Sequence, residues 1–232
     1  MRLAGGRKYG DHLGMSGYDF TLAGTRLTAL GSGALWWAAQ RLLCVSDLHL
    51  GKSERQLRRG GSALPPYETH DTLQRLSTLI DQFAPDTILC LGDSFDDLAA
   101  AEALPDPEAK DLRQMVAARD WIWIEGNHDP GATGFGGQAC DEIAIGALTF
   151  RHIARGDAAP GEVSGHYHPK ARLSRGSARP AFLLDQTRLI LPAFGTYTGG
   201  LRSSDPALTG LMAPQALAIL TGPTALPCPM PR

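Results

Sequence analysis

No apolar run in this chain of 232 residues approaches the ~18 residues that suggest a bilayer-spanning helix. The N-terminus also lacks the basic, apolar and small-residue succession of a secretory signal. These two absences make a soluble cytoplasmic protein, with no membrane partner, the expectation. Cysteine is scarce: Cys44, Cys90, Cys140 and Cys228 lie far apart and form no CxxC pair, which excludes a zinc finger. Cys44 and Cys90 fall inside expected buried strands, so the four read as reduced thiols rather than disulfides or zinc ligands. Charge of one sign is not in excess either, since 22 Lys and Arg face 24 Asp and Glu for a net charge of -2. Composition alone therefore selects no polyanionic partner.

What is present is an ordinary globular composition, 43% apolar and 20% charged, in a length that buries a full core. One domain is expected over residues 18–221. Residues 1–17 are Gly-rich, polar and without periodicity, and read as a disordered extension, with Met15 an alternative natural start and His12 given no role. The Pro-rich end, residues 222–232, reads as a loose tail.

Short strands are expected over residues 20–30 and 34–37, broken by Gly24 and by Gly31-Ser32-Gly33. Apolar runs at 42–45, 88–91 and 121–124 read as buried strands of an α/β sheet. Leu73, Leu76, Ile80 and Phe83 recur at helical spacing between the first two runs, with Glu68 and Asp71 at the helix start, where the dipole favours acids. A second crossover over 97–119, interrupted by Pro105 and Pro107, joins the second run to the third, so two successive βαβ units predict a parallel sheet. The second half is expected to be β-rich, with strands near 143–145, 148–150, 162–164, 181–184 and 189–191. Trp36, Trp37, Trp121 and Trp123 lie in strand patterns and read as core. No exposed aromatic is evident near the motifs described next, so little sequence specificity toward nucleic acid is expected.

Asp47-x-His49, Gly92-Asp93, Gly126-Asn127-His128-Asp129, His152 and Gly165-His166-x-His168 hold five of the seven histidines. The first three each follow one of the apolar runs, and the carboxyl ends of strands are where an α/β sheet keeps its chemistry. Carboxylate, imidazole and amide oxygen without thiolate suit a hard or borderline divalent ion. In an extended chain, Asp47-x-His49 and His166-x-His168 each turn both side chains to one side. Asp93 is placed to bridge two ions, and Asn127 offers a neutral carbonyl oxygen. Two dications bring +4, and Asp47 with Asp93 returns -2. The remainder suits one hydroxide and one phosphodiester anion, as in two-metal sites with ions roughly 3.5 to 4 Å apart. Residues 52–59 carry Lys52, Arg55, Arg58 and Arg59 in a loop after the first motif, and residues 170–179 carry Lys170, Arg172, Arg175 and Arg179 after the last. Their placement points to an anionic substrate.

In the order Asp47-x-His49, Gly92-Asp93-x-x-Asp96, Gly126-Asn127-His128-Asp129, His152 and Gly165-His166-x-His168, these motifs resemble the calcineurin-like metallophosphoesterases. The resemblance implies a four-layer αββα sandwich with a dinuclear centre. It implies that Asp47, His49 and His168 hold one metal, that Asp93 bridges, and that Asn127, His152 and His166 hold the other. His128 would touch no metal but stabilise the pentavalent phosphorus or protonate the leaving oxygen, with Asp129 orienting its ring, and Asp96 would support the ligands from behind.

Further stretches, Leu64-Pro65-Pro66-Tyr67-Glu68, Leu191-Pro192-Ala193-Phe194-Gly195 and Tyr197-Thr198-Gly199-Gly200 among them, resemble the PdeM family, described as ligase-associated DNA-damage-response endonucleases. That implies phosphodiester hydrolysis in DNA, with two ions, manganese first and iron, zinc or magnesium as substitutes. It also implies association with a DNA ligase, a helicase-like protein and an exonuclease. A departure from that family is Asp96, where His is expected in close relatives. The reaction expected is in-line attack of a metal-bridging hydroxide on a phosphodiester, with Arg55, Arg58, Arg59 and Lys170 holding flanking phosphates. The alternatives are a nucleotide or nucleotide-sugar pyrophosphatase, a protein phosphatase and a non-catalytic repair scaffold. Residues 131–137 read as either a mobile lid or a plain surface loop.

Overall fold

The computed structural model describes residues 17–61, 64–131, 134–173 and 176–232. The expected N-terminal extension, but for Gly17, lies outside them, as does Arg175 of the second basic stretch. The first half alternates as expected. Strands β1 (Gly17–Leu22), β2 (Thr25–Leu30), β3 (Leu35–Trp37) and β4 (Leu42–Val45) are followed by helices α1 (Lys52–Arg58) and α2 (Glu68–Phe83). Then come β5 (Thr87–Leu91), α3 (Leu98–Glu102), α4 (Asp106–Ala117), β6 (Asp120–Ile124) and β7 (Gln138–Cys140). These strands form one sheet in the order β1 to β7, antiparallel up to β4 and parallel from β4 to β7.

The second half supplies β8 (Glu142–Ile145), β9 (Leu148–Arg151), β10 (Glu162–Ser164), β11 (Lys170–Ala171), β12 (Arg179–Leu184) and β13 (Arg188–Ile190). It ends with α5 (Pro206–Leu211), β14 (Leu217–Leu220) and β15 (Leu226–Pro229). Their sheet runs β15-β14-β12-β13-β10-β9-β8, with β11 paired to β12.

β4 is apolar throughout, and β5 and β6 are apolar after their first residue, because both faces are covered. Leu43, Val45, Ile88, Cys90, Trp121 and Trp123 point into a core shared with Leu73, Leu76 and Ile80 of α2 and Ala109, Leu112 and Val116 of α4. The alternate residues, Leu42, Cys44, Leu89, Leu91, Ile122 and Ile124, meet Phe150, Val163, Phe182 and Ile219 of the second sheet. A third cluster packs Leu208 of α5 on Ala181, Leu183, Ile190 and Ala218. Helix, sheet, sheet and helix are therefore stacked around a central β-on-β core, the αββα sandwich. No helix among the described residues is long and apolar enough to cross a membrane. All four cysteines are free thiols, and Cys44 and Cys90 are buried.

Two expectations fail here. The basic stretch after His49 is helix α1 rather than a loop. Its Lys, Glu, Gln, Leu and Arg side chains are good helix formers, and Glu54 pairs with Arg58 one turn on at 2.9 Å. The Pro-rich end is not loose over residues 226–229, which pair with β14 from Leu220↔Leu226 to Leu217↔Pro229. β15 is an edge strand, where the N–H that Pro227 and Pro229 lack is not needed by a further neighbour. Proline reads as a breaker only until the position of its strand in the sheet is known.

Candidate metal centre

The chain leaves β4 and β5 by paired, strained turns. Asp47 and His49 have φ of 53° and 47°, and Asp93 has 45°. Non-glycine residues rarely occupy this left-handed region, and they persist there only when the surroundings hold them. The surroundings here are a ladder between the two turns: Asp47 N–H donates to Gly92 O, His49 N–H to Asp93 O at 2.9 Å and Leu50 N–H to Ser94 O at 2.9 Å. The Asp-x-His pair is thus presented by left-handed residues, not by the extended alternation expected from sequence. His166 and His168 repeat the device with φ of 70° and 46°. Gly126 lets the third turn approach, since a Cβ there would sit 2.1 Å from Asp93 N.

These turns gather Asp47, His49 and His168 into one cluster and Asp93, His152 and His166 into another. Hydrogen bonds behind the ligands decide which atoms face inward. His49 Nδ1 lies 2.8 Å from Asp96 Oδ1, and His152 Nδ1 lies 2.8 Å from the Leu91 carbonyl. An acceptor at Nδ1 keeps a proton there, so both rings turn Nε2 to the centre, where its lone pair binds a metal once any second proton has left. His49 Nε2 then faces His168 Nε2 at 3.4 Å, and His168 Nε2 faces Asp47 Oδ1 at 3.0 Å. His152 Nε2 faces Asn127 Oδ1 at 3.1 Å, His166 Nδ1 at 3.2 Å and Asp93 Oδ2 at 3.4 Å.

Each carboxylate spends one oxygen on the protein and keeps the other for the centre. Asp47 Oδ2 accepts from the His166 amide at 3.0 Å and from Ser46 Oγ, while its buried Oδ1 has no hydrogen-bond donor. Asp93 Oδ1 accepts from the His128 amide at 2.9 Å. Its Oδ2 lies 3.4 Å from His152 Nε2 and 4.0 Å from His49 Nε2, between the two clusters. Carboxylate oxygens and ring nitrogens converging in a buried site repel one another unless a proton or a cation sits among them. The donor set, imidazole, carboxylate and amide oxygen, fits two divalent ions.

The electrostatics agree. Burial opposes ionisation of Asp93, but the hydrogen bond and charge of His152 outweigh it and hold the carboxyl at about 2. Burial likewise opposes ionisation of Asp47, and His168 and His152 overcome it. Burial pulls His152 down, yet Asp93 and Asp47 raise it above its ordinary value. A proton on that imidazole offsets negative charge that a dication would neutralise.

His128 and Asp129 do not form the expected pair. Asp129 Oδ2 accepts from the backbone amides of Ser94 and Phe95 at 2.7 and 3.0 Å. His128 Nδ1 is held instead by the Asp96 carbonyl oxygen at 2.8 Å, leaving Nε2 3.9 Å from Asp93 Oδ2. The turn that carries Asp129 directs its carboxylate back under the second turn, which a linear motif cannot reveal. Burial, and then the charge of Asp93, raise Asp129 to about 6.

Arg55 and Arg58 are already engaged. Arg55 bonds Asp96 at 2.8 Å and approaches Asp97 at 3.3 Å, and Arg58 bonds Asp97 at 2.7 Å. The Arg59 side chain is 61% exposed and only 3.5 Å from Asp97 at its nearest. Lys52, which the sequence offered only as one of a run, lies 3.6 Å from Asp96 and lines a recess of ≈ 220 Å³ with Arg55, Gln56 and Arg59. Lys170 Nζ lies 3.3 Å from the Thr198 carbonyl, at a loop that packs on the site. An exposed aromatic stands just before α2: Tyr67 is 55% exposed, and its ring lies 5.8 Å from that of Tyr197. Of the expected lid, residues 132 and 133 lie outside the described residues, and Phe135 is buried and stacked on Phe95 at 5.2 Å.

The model of the calcineurin-like phosphoesterase family matches residues 40–184. Among solved structures, the chain is similar to the nuclease MPE of Pseudomonas putida, with a TM-score of 0.73 and 28% identity over 91% of this chain and 100% of that one. A weaker match is Yfce, a phosphoesterase from E. coli, with a TM-score of 0.38 and 13% identity over 82% of this chain and 99% of that one. No curated protein matches.

Proposed function

The chain belongs to the calcineurin-like phosphoesterase family, and from that premise we propose that this metal-dependent phosphoesterase cleaves phosphodiester bonds in DNA as an endonuclease serving repair. The observation that carries this reading is the convergence of Asp47, His49 and His168 with Asp93, Asn127, His152 and His166 beside the cationic recess of Lys52, Arg55 and Arg59. A centre flanked by cations suits a polyanion that continues past the reacting phosphate. The similar nuclease MPE supports nucleic acid over a small nucleotide.

When bound, the two ions, manganese in this reading, would supply an activated water and a clamp on the phosphoryl oxygens. The chain's own residues do the rest. Asp96 fixes the His49 ring through its carboxylate and the His128 ring through its carbonyl. His128, 28% exposed at the edge of the centre, presents Nε2 to the leaving oxygen and, in its imidazolium form, with Nδ1–H kept on the Asp96 carbonyl, gives that oxygen the proton that Nε2 carries. Lys52 and Arg59 hold a neighbouring phosphate, while Arg55 and Arg58, tied to Asp96 and Asp97, keep helix α1 in place. In the cell the protein would work in the cytoplasm beside a DNA ligase, a helicase-like protein and an exonuclease.

The test is hydrolysis by the manganese-reconstituted protein of an aryl phosphodiester, plasmid DNA and single-stranded DNA in parallel, with His128→Ala as control. Cleavage of all three that is lost in the variant is the expected result. Cleavage of the aryl diester with both DNAs left intact would overturn the endonuclease reading in favour of a nucleotide-type substrate.

A further inference from the structure

Two sequence stretches, Leu64-Pro65-Pro66-Tyr67-Glu68 and Tyr197-Thr198-Gly199-Gly200, contribute nothing to the metal clusters, yet the fold brings their tyrosines together. The rings of Tyr67 and Tyr197 lie 5.8 Å apart at an interplanar angle of 58°. Tyr67 is the residue before α2, and the two residues after it anchor the start of α1. Glu68 Oε1 accepts from Ser53 N–H and Oγ–H at 3.0 and 2.8 Å, and Thr69 Oγ1 accepts from Gly51 N–H at 2.9 Å. Gly51 stands two residues after the ligand His49.

Tyr197 comes from the opposite side. Its loop starts at Gly195, whose N–H donates to the Asp47 carbonyl at 3.1 Å. It ends at Gly200, where a Cβ would lie 2.0 Å from the His168 carbonyl oxygen, so only glycine permits the approach. The tyrosines thus stand on two segments that both brace the Asp47, His49 and His168 cluster. Tyr197 itself has φ 62°, a region that a bulky side chain occupies only when surrounding structure imposes it. Thr196 supplies the constraint, donating its N–H to Thr72 Oγ1 and its hydroxyl to Asp71 Oδ2. Tyr67 is left 55% exposed, whereas all four tryptophans lie at least partly buried in the core.

We propose that Tyr67, backed by Tyr197, is a stacking ledge for an unpaired nucleobase next to the phosphodiester being cleaved. This inference rests on the phosphodiesterase reading and deepens it. The segment of Tyr67 is tied to the start of α1 through Glu68 and Ser53, and Lys52 and Arg59 of that region line one recess, so a strand whose phosphates meet these cations can lay a base on the ring. Stacking on a π-face is sequence-tolerant, and it requires a base free of its partner strand. The ledge therefore selects single-stranded or frayed segments over intact duplex without selecting sequence.

The test measures strand binding and metal content separately. In a manganese-loaded His128→Ala background, which binds without cutting, fluorescence anisotropy follows a short single-stranded oligodeoxynucleotide and an abasic phosphodiester chain of the same length. Adding Tyr67→Ala is expected to weaken the base-containing strand by roughly ten-fold and to leave the abasic chain unchanged. Tyr67→Leu, which keeps apolar packing against Tyr197, is expected to behave as Tyr67→Ala does. With His128 intact, both variants are expected to keep the wild-type manganese content, measured by elemental analysis after dialysis.

Equal weakening of both chains would reduce the pair to a structural pin, and no change in either would remove it from the substrate path; either result overturns the ledge. A wild-type protein that hydrolyses no phosphodiester would instead overturn the reading on which the ledge rests.

Discussion

Asp96 holds the His128 ring with its backbone carbonyl, 2.8 Å from Nδ1, while its carboxylate turns away to His49 Nδ1, also at 2.8 Å. One residue orients the ring of a candidate metal ligand and that of the candidate proton donor. Because the carbonyl is part of the backbone, side-chain substitution at Asp96 separates the two effects.

His128→Ala is expected to keep both metal ions and to lose turnover by roughly 10²-fold or more, the usual contribution of a positioned acid. Asp129→Ala is expected to act differently. It leaves the Ser94 and Phe95 amides without their acceptor, at about 1–3 kcal/mol for each buried group, so thermal stability falls. Metal content, kcat and Tm measured together check the pair. Unchanged turnover in His128→Ala would remove that residue from the chemistry.

Asp93→Ala is expected to lose metal rather than catalysis alone, because Oδ2 of Asp93 stands between the clusters and Oδ1 holds the His128 amide. Elemental analysis after dialysis is the measurement. Two ions per chain in that variant would contradict a bridging role.

Asp96→Ala is expected to lower metal affinity by roughly 10–100-fold, the usual effect of removing the carboxylate behind a ligating histidine. Asp96→Asn retains an oxygen for His49 Nδ1 and is expected to recover part of that affinity. The same substitutions free Arg55 from its 2.8 Å partner. A manganese titration of the three proteins orders them, and equal affinities would show that Asp96 does not position His49.

Asp71 is expected to make the Tyr197 loop sensitive to acid. Its carboxyl lies below the ordinary 3.8, first through the hydrogen bond from Thr196 and, against some burial, through the charge of Arg75. A depressed folded pKa contributes stability that is present above the unfolded value and is lost as pH falls through the folded one. Thr196→Val removes the hydroxyl donor, so the Asp71 titration moves up toward 3.8 and the loop loosens at a higher pH. An NMR titration of the Asp71 carboxyl follows this directly, and an unmoved midpoint would disprove the link.

Several features were legible in one dimension. The alternate apolar residues of β4, β5 and β6 announced a sheet covered on both faces, because each face needs its own row of side chains in contact with a partner layer. Likewise, Leu73, Leu76 and Ile80 announced the helix that covers one of them. The ligand types and their places after strands pointed to a metal centre because hard donors at strand ends serve no packing purpose. β15 is hidden in the sequence, since Pro227 and Pro229 are tolerable only at an edge and sequence does not say which strand lies at one. α1 leaves no helical signature in the sequence because it buries no residue and so has no apolar stripe to betray it.

The sequence by itself thus determined the parallel sheet of the first half, the helix that covers it and the candidate metal-ligand types, all of which depend on residue type and local periodicity. Only the tertiary structure decided which oxygen and nitrogen atoms face one another, that Asp129 serves two amides rather than His128, and that Tyr67 meets Tyr197. These outcomes depend on left-handed turns at Asp47, His49 and Asp93 and on contacts between segments more than a hundred residues apart. A backbone held in an unfavourable region by distant hydrogen bonds leaves no periodic trace in the residues that adopt it.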